Sequence, residues 1–183
     1  MNQQQPFPAG FNISPLIRIT LLCLYLALTV PLPFLTEVTH SPVSPELLWI
    51  GIAVGAVIIY GLLAQKVALD EDRIQVTYPR WLPSFLSKGW QLEWKQVAAL
   101  KMRTTGQGGL VYYLVTPEKD RAYLLPMRIA GFAKMVKLLE AKTGIDTTDI
   151  RPLAQPWMYI ILFVCTMLLW LVDGWAIWTA ITG

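Results

Sequence analysis

The chain has few of the residues from which an active site is usually built. Its 183 residues include one histidine, His40, and two cysteines, Cys23 and Cys165. An enzyme needs a placed nucleophile, acid or metal, and no Ser/His/Asp or Cys/His set can be assembled from these residues. Both cysteines lie in long apolar runs without metal-ligand spacing, so we interpret them as packing residues. The sequence therefore predicts a protein that is not an enzyme and that has no metal or organic cofactor.

Two small groups of acids are candidate cation sites. Glu37 and Glu46 flank His40 in the short loop between the first two apolar runs, and residues 70–72 read Asp-Glu-Asp. A solvated loop is the more ordinary state of the first group. The second has the residue types of a tight turn that exposes charge between two strands. We expect neither group to bind a metal.

Charged residues are scarce and unevenly placed. They make up 15% of the chain against 55% hydrophobic residues, which is more apolar than an average soluble domain. All but one of the fifteen Lys and Arg residues lie between Lys66 and Arg151. The resulting excess of bases in this segment favours an anionic surface, such as anionic lipid. The segment lacks the basic stripe with interleaved aromatic residues that would indicate nucleic acid.

Three apolar runs are long enough to cross a membrane. Residues 16–30 continue into PLPFL, residues 47–64 follow the helix-start signal Ser-Pro-Glu, and residues 157–181 contain a single charge, Asp173. The N-terminal stretch lacks the basic region and cleavage site of a secretory signal peptide, so the first run is predicted to stay as an anchor. The domains expected are a flexible tail over 1–14, a membrane hairpin over 15–65, and a linker with the third span over 151–183.

The basic residues also predict an orientation. The loop between the first two runs has no Lys or Arg, whereas the segment between the second and third runs is basic. By the positive-inside rule, this segment and the N-terminus are cytoplasmic and the C-terminus lies on the other side. The protein is then a multi-pass protein of a bacterial inner membrane or a thylakoid membrane.

Residues 66–150 predict one small domain of antiparallel strands closed by a helix. Apolar and polar residues alternate over 73–78 and 90–94, and more loosely over 96–104. The glycine-rich run at 105–109 lies between two strand patterns, so we interpret it as a hairpin turn rather than a phosphate-binding loop. The closing helix has an apolar face and a C-capping glycine. These features are Phe132, Met135, Val136, Leu139 and Gly144.

This order resembles the bacterial pleckstrin-homology-like membrane proteins. The residues that carry the resemblance are the turn around 69–74, the Trp-Lys-Gln-Val step at 94–97 and the helix from Ile129. It implies a PH-like fold for residues 66–150 and says less about function. A looser likeness of length and span arrangement links the chain to photosystem I assembly factors of cyanobacteria and plastids. The third span departs from both patterns.

Residues 79–88, PRWLPSFLSK, are too apolar for a free loop and contain two prolines that exclude a regular strand. Two interpretations compete. The apolar side chains either cap the open end of the β domain, or they contact a membrane surface or a protein partner. The second interpretation makes candidate docking residues of Arg80, Trp81, Phe85, Leu86 and Lys88.

Two helix faces are further candidates for docking. Gly51 and Gly55 form a small-xxx-small pattern in the second span, which serves packing within the chain or contact with another membrane protein. In the third span, Asp173 shares a face with Thr166, Leu169, Ala176 and Ala180, a set of small and polar residues that should face protein rather than lipid.

Together these features predict a non-enzymatic membrane scaffold or assembly factor that docks subunits of a membrane protein complex, with photosynthetic complexes the leading candidate. The alternative is a lipid-responsive regulatory or envelope-stress protein whose PH-like domain binds anionic lipid. The predicted fold class is α+β, with three transmembrane helices and one antiparallel β domain closed by an amphipathic helix.

Overall fold

The computed structural model describes residues 8–39, 42–104, 106, 110–117, 121–148, 150 and 156–182. The chain divides into two compact units. The helical unit comprises residues 15–63 and 156–183, and the β unit comprises residues 1–14 and 64–155. Each unit is therefore discontinuous in sequence.

The described residues of the helical unit form four helices. These are α1 (Pro15–Thr29), α2 (Pro31–Val38), α3 (Pro45–Leu62) and α5 (Pro156–Thr182). The remaining helix, α4 (Phe132–Thr143), belongs to the β unit. Residues Pro15–Thr36, Pro45–Leu62 and Trp157–Thr179 are long and apolar enough to cross a membrane, which confirms three such segments. The first is interrupted, because Pro31 cannot donate an amide hydrogen and begins α2 as its first residue. The start of α3 is as predicted, with the Ser44 side chain accepting a hydrogen bond from the amide of Leu47 at 3.4 Å.

Helices α1 and α3 pack as an antiparallel hairpin. The Arg18 guanidinium lies 6.0 Å from the ring centroid of Tyr60, and the Tyr25 hydroxyl donates to the carbonyl of Ile52 at 3.1 Å. Residue numbers therefore rise along α1 as they fall along α3. Helix α5 packs against α1, where the Trp170 indole Nε1 donates to the carbonyl of Cys23 at 3.3 Å. The first and third apolar segments are therefore neighbours in the helical unit.

The two cysteines differ in their surroundings. Cys23 is half-buried, but Cys165 is exposed on the surface of the unit. The interpretation of Cys165 as a packing residue is therefore wrong for contacts within the described chain.

The β unit contains two antiparallel sheets and one helix. The first sheet has the order β1 (Ala9–Asn12), β2 (Lys66–Leu69), β3 (Arg73–Thr77) and β4 (Trp90–Glu93). The second has the order β5 (Ala99–Thr104), β6 (Leu110–Val115) and β7 (Ala122–Leu124). A short 3₁₀ turn, Trp94–Gln96, connects them, and α4 (Phe132–Thr143) follows. The prediction of antiparallel strands followed by a helix is confirmed. The run 105–109 lies outside the described residues except for Gly106.

One hydrophobic core lies between the sheets and α4. The predicted apolar face of α4 is buried in it, since Phe132, Met135, Val136 and Leu139 are all nearly inaccessible to solvent. Alternating residues of the strands, such as Leu69 and Ile74, complete it with no exposed surface. Helix α4 ends as predicted at Gly144, which has a φ of 68° and donates its amide to the carbonyl of Glu140.

The N-terminal segment is part of this core. Strand β1 pairs with β2, from Ala9 opposite Leu69 to Asn12 opposite Lys66, and Ile13 forms a further bridge with Ile129. Phe11 is 8% exposed, and its ring lies 3.5 Å from the position that a Cβ at Gly131 would take. The prediction of a flexible tail is therefore wrong for residues 9–13, whose apolar side chains find a sheet edge and a core to bury them. The helical hairpin of α1 to α3 is inserted between β1 and β2.

Candidate docking surfaces

The loop between β3 and β4, residues 79–88, folds into two successive turns. The amide of Leu82 donates to the carbonyl of Pro79, and the amide of Leu86 donates to the carbonyl of Pro83, both at 3.0 Å. Each proline is the first residue of its turn, where its carbonyl accepts the hydrogen bond and its missing amide hydrogen is not needed. The two turns hold the intervening side chains in a defined arrangement.

Most of the apolar side chains of this loop point away from the β unit. Phe85 is 84% exposed, Trp81 52% and Leu86 38%, whereas Leu82 is 7% exposed. The interpretation that the loop caps the core holds for Leu82 alone and is wrong for the other three. Arg80 and Lys88 are also exposed. The loop thus presents three large apolar groups flanked by two cations, held to the unit by one buried leucine.

The register places this loop at one particular end of the first sheet. Asn12 pairs with Lys66, and Lys66 pairs with Thr77, so the chain enters the helical unit from the same end of the sheet at which the loop begins. Gln65, which precedes β2, donates a hydrogen bond from Nε2 to the Tyr78 hydroxyl at 2.8 Å. Burial raises the pKa of Tyr78 above its ordinary 10.0, so this hydroxyl stays neutral to a higher pH than that of an exposed tyrosine.

A glycine closes the loop. A Cβ at Gly89 would lie 2.5 Å from the carbonyl oxygen of Val76, so only glycine lets the start of β4 approach β3 at this distance. Sequence patterns missed both this contact and the bond between Gln65 and Tyr78. The available signal for the close contact at Gly89 was a lone glycine directly before a strand pattern. The hydrogen bond between Gln65 and Tyr78 joins residues distant in sequence and has no sequence signature.

The other end of the sheet is acidic. Residues 70–72 form the tight turn between β2 and β3, as predicted, with the amide of Asp70 donating to the carbonyl of Arg73 at 2.9 Å. The Trp94 indole donates to the carbonyl of Asp70 at 3.0 Å and fixes the turn. Glu93 pairs with Arg73 in the register, which adds a fourth acid to Asp70, Glu71 and Asp72. These residues line an open depression together with Pro8 and Arg73.

The two glycines of α3 have different surroundings. A Cβ at Gly55 would overlap the Tyr25 hydroxyl and approach its ring carbon Cζ to 3.0 Å, whereas a Cβ at Gly51 would meet nothing within 4 Å. Gly55 is therefore occupied by packing within the chain and is not free for a partner. Gly51 remains accessible as a candidate contact. Tyr25, which the sequence analysis did not single out, explains the need for glycine at position 55.

The residues of the Asp173 face of α5 also differ in their surroundings: some are buried within the helical unit and one is exposed. Thr166 is buried at 1% exposure and donates its hydroxyl to the carbonyl of Leu162, while Leu169 and Asp173 are half-buried. Ala176 is exposed, and the side chain of Ala180 lies outside those described. The part of the predicted face from Thr166 to Asp173 therefore packs at least partly within the helical unit. Oδ2 of Asp173 is buried without a hydrogen-bond partner among the described residues.

Metal ligands do not converge in the described part of the chain: no three His, Cys, Asp or Glu side chains there form a group suited to an ion. His40 lies outside the described residues, so its predicted solvated environment stays a prediction.

The fold and these surfaces define an α+β protein with three apolar helices of membrane-spanning length and an antiparallel β unit that exposes an apolar loop. The chain is 56% identical over 161 residues to the uncharacterized protein slr0269 of Synechocystis sp., across 87% of this chain and 81% of that protein. It belongs to the family of that cyanobacterial protein. No family model matches the chain, and no solved structure matches it.

Proposed function

We propose that this chain is a non-enzymatic integral membrane scaffold or assembly factor that docks subunits of a membrane protein complex. The observation that carries the proposal is the carboxylate of Asp173. It lies in an apolar helix with one oxygen buried and unpaired among the described residues. An ionisable group at membrane depth is stabilised by a partner group. Asp173 as a whole is only half-buried, so we infer that the accessible part of its side chain meets a donor from another chain.

The topology of the proposal follows from the chain connections. The pairing of β1 with β2 requires the segments before the first span and after the second to be on one side of the membrane. The excess of Lys and Arg in residues 66–151 makes that side cytoplasmic. The first and third spans then run parallel, and Arg18 at the cytoplasmic end is too distant to pair with Asp173.

A PH-like domain is part of the proposal. A four-stranded and a three-stranded antiparallel sheet closed by a C-terminal helix support this likeness. In this chain the first strand precedes the membrane hairpin and the domain leads into the third span, so the domain would be held at three points on the cytoplasmic surface. The cyanobacterial relative is compatible with a thylakoid location and a photosynthetic complex as partner.

Affinity purification of the tagged full chain in mild detergent tests the proposal. We expect stoichiometric membrane subunits by mass spectrometry, with pigment absorption in the eluate if the complex is photosynthetic. Asp173→Leu should lose these subunits, whereas Val172→Leu, at the exposed neighbouring position, should retain them. Equal membrane levels of both variants are the control for insertion. Undiminished co-purification with Asp173→Leu would refute the docking role of the carboxylate.

A second candidate function is a lipid-responsive regulatory or envelope-stress protein. The exposed loop at 79–88 favours it, because apolar side chains flanked by cations suit an anionic lipid surface. Purification of the intact chain with lipid but without any stoichiometric subunit would support this candidate over the scaffold.

A further inference from the structure

We propose that residues 79–88 form an interfacial anchor, which inserts Trp81, Phe85 and Leu86 into the headgroup region of the anionic leaflet at which the helices end. The anchor would hold the β unit in one orientation, with its acidic end directed toward water. This inference rests on the membrane-spanning part of the proposed function and not on the docking of a protein complex.

The chain connections place the loop near the membrane. Asn12 is three residues before the start of α1, and Lys66 is three residues after Leu63, the capping residue of α3. Three residues span at most about 10 Å. Since Asn12, Lys66 and Thr77 lie side by side in the register, the base of the loop lies at the sheet end that is tied to the spans.

The loop has the surface chemistry of an interfacial segment. Tryptophan and phenylalanine side chains with large exposed areas gain from transfer out of water, and tryptophan favours the headgroup region. The two turns hold these groups at the surface, while buried Leu82 ties the loop to the core. The anchor is thus a rigid part of the β unit, so its insertion also fixes the domain.

The charges along the first sheet are distributed as this orientation requires, with cations at the loop and acids concentrated at the opposite end. Residues 74–92 contain no acid, and the loop carries Arg80 and Lys88. The four acids at 70–72 and 93 lie at the opposite end, about 13 Å away over the length of β3. Arg73 lies among them and pairs with Asp70 at 3.7 Å, which leaves that end with a net negative charge. The separation of the two ends exceeds the Debye length of about 8 Å at physiological salt. The cations therefore interact with anionic headgroups while the acids are largely screened from them.

These observations favour a lipid surface over a protein as the occupant. The cations flank the apolar groups at the sheet end tied to the spans, where anionic headgroups are already present at high local concentration. A protein partner would need an acidic surface of its own at the same height above the membrane as the loop.

Depth measurement by electron paramagnetic resonance on the full chain tests the anchor. Cys23 and Cys165 are replaced by alanine, and a nitroxide is attached at Ser84→Cys, which leaves the apolar residues of the loop intact. The matched control is Glu71→Cys, at the exposed turn of the opposite sheet end. In nanodiscs of phosphatidylcholine with phosphatidylglycerol, we expect the label at 84 to collide more with oxygen and less with a nickel chelate than the label at 71.

Two variants separate the contribution of the apolar side chains to insertion from that of the cations. Phe85→Ser should shift the label at 84 toward the aqueous accessibility of the control, and Arg80→Gln with Lys88→Gln should remove the dependence on phosphatidylglycerol. Equal nickel accessibility at 84 and 71 in both lipid compositions would overturn the anchor. Protection of position 84 in native membranes but not in nanodiscs would identify a protein occupant and also overturn it. The co-purification experiment is independent of these results, so failure of either proposal can be recognised.

Discussion

The packing of α3 against α1 predicts that its two glycines respond in opposite ways to the same substitution. A methyl group at position 55 overlaps the Tyr25 hydroxyl, whereas a methyl group at position 51 meets open space. Overpacking of this kind costs about 1–3 kcal/mol, and loss of the interhelical hydrogen bond from Tyr25 to Ile52 adds about 0.6 kcal/mol. Alanine is about 1 kcal/mol better than glycine in a helix, which offsets part of this.

Gly55→Ala should therefore destabilise the helical unit by about 0.5–2.5 kcal/mol, and Gly51→Ala should leave it unchanged or stabilise it by up to about 1 kcal/mol. The assay is unfolding in mixed micelles by titration with sodium dodecyl sulfate, followed by far-ultraviolet circular dichroism. In a Tyr25→Phe background the overlap with the hydroxyl is absent, so Gly55→Ala should cost less there. Equal stability of the two alanine variants would refute the assignment of Gly55 to packing within the chain.

Three further predictions concern the β unit. Leu139→Ala, at a fully buried position, should lower the free energy of unfolding in urea by about 2–5 kcal/mol, while Lys137→Ala on the exposed side of α4 should change it by less than about 0.5 kcal/mol. Because burial raises the pKa of Tyr78 above its ordinary 10.0, its stabilising contribution is present below that pH and is lost as pH rises through the folded pKa; unfolding curves of Tyr78→Phe should lack this alkaline loss. Gly89→Ala should lower the melting temperature because its Cβ meets a backbone oxygen of β3, and Gly106→Ala, at an open position, should have little effect.

The parts of the fold that were predictable are those set by local periodicity. The apolar face of α4 repeats every three or four residues, and the strands at 73–77 and 90–93 alternate, so each face could be assigned without knowing its partner. Strand β1 was missed because it is four residues long and follows a segment rich in glutamine and proline. Its partner β2 lies beyond the three helices α1 to α3, and such pairing leaves no local signal.

The candidate docking surfaces could also be predicted only in part from the sequence. Composition marked residues 79–88 as unusual, but the direction in which Leu82 and Phe85 point depends on the turns formed by Pro79 and Pro83. Likewise, the small-xxx-small pattern marked Gly51 and Gly55 equally, and only the position of Tyr25 distinguishes them. Residue type indicated where contact is made, whereas the choice between internal and external contact depends on tertiary structure.

The pairing of β1 with β2 has a consequence for biosynthesis. During translation Asn12 emerges long before Lys66, and the sheet cannot form until the intervening hairpin has been synthesised. Antiparallel packing of α1 and α3 brings Pro15 and Leu62 to one end of the hairpin, so insertion of the two helices itself closes the loop that joins the strands. In the proposed topology, completion of the β unit therefore requires that both helices of the hairpin are inserted. With one helix left out of the membrane, β1 and β2 would lie on opposite sides and could not pair.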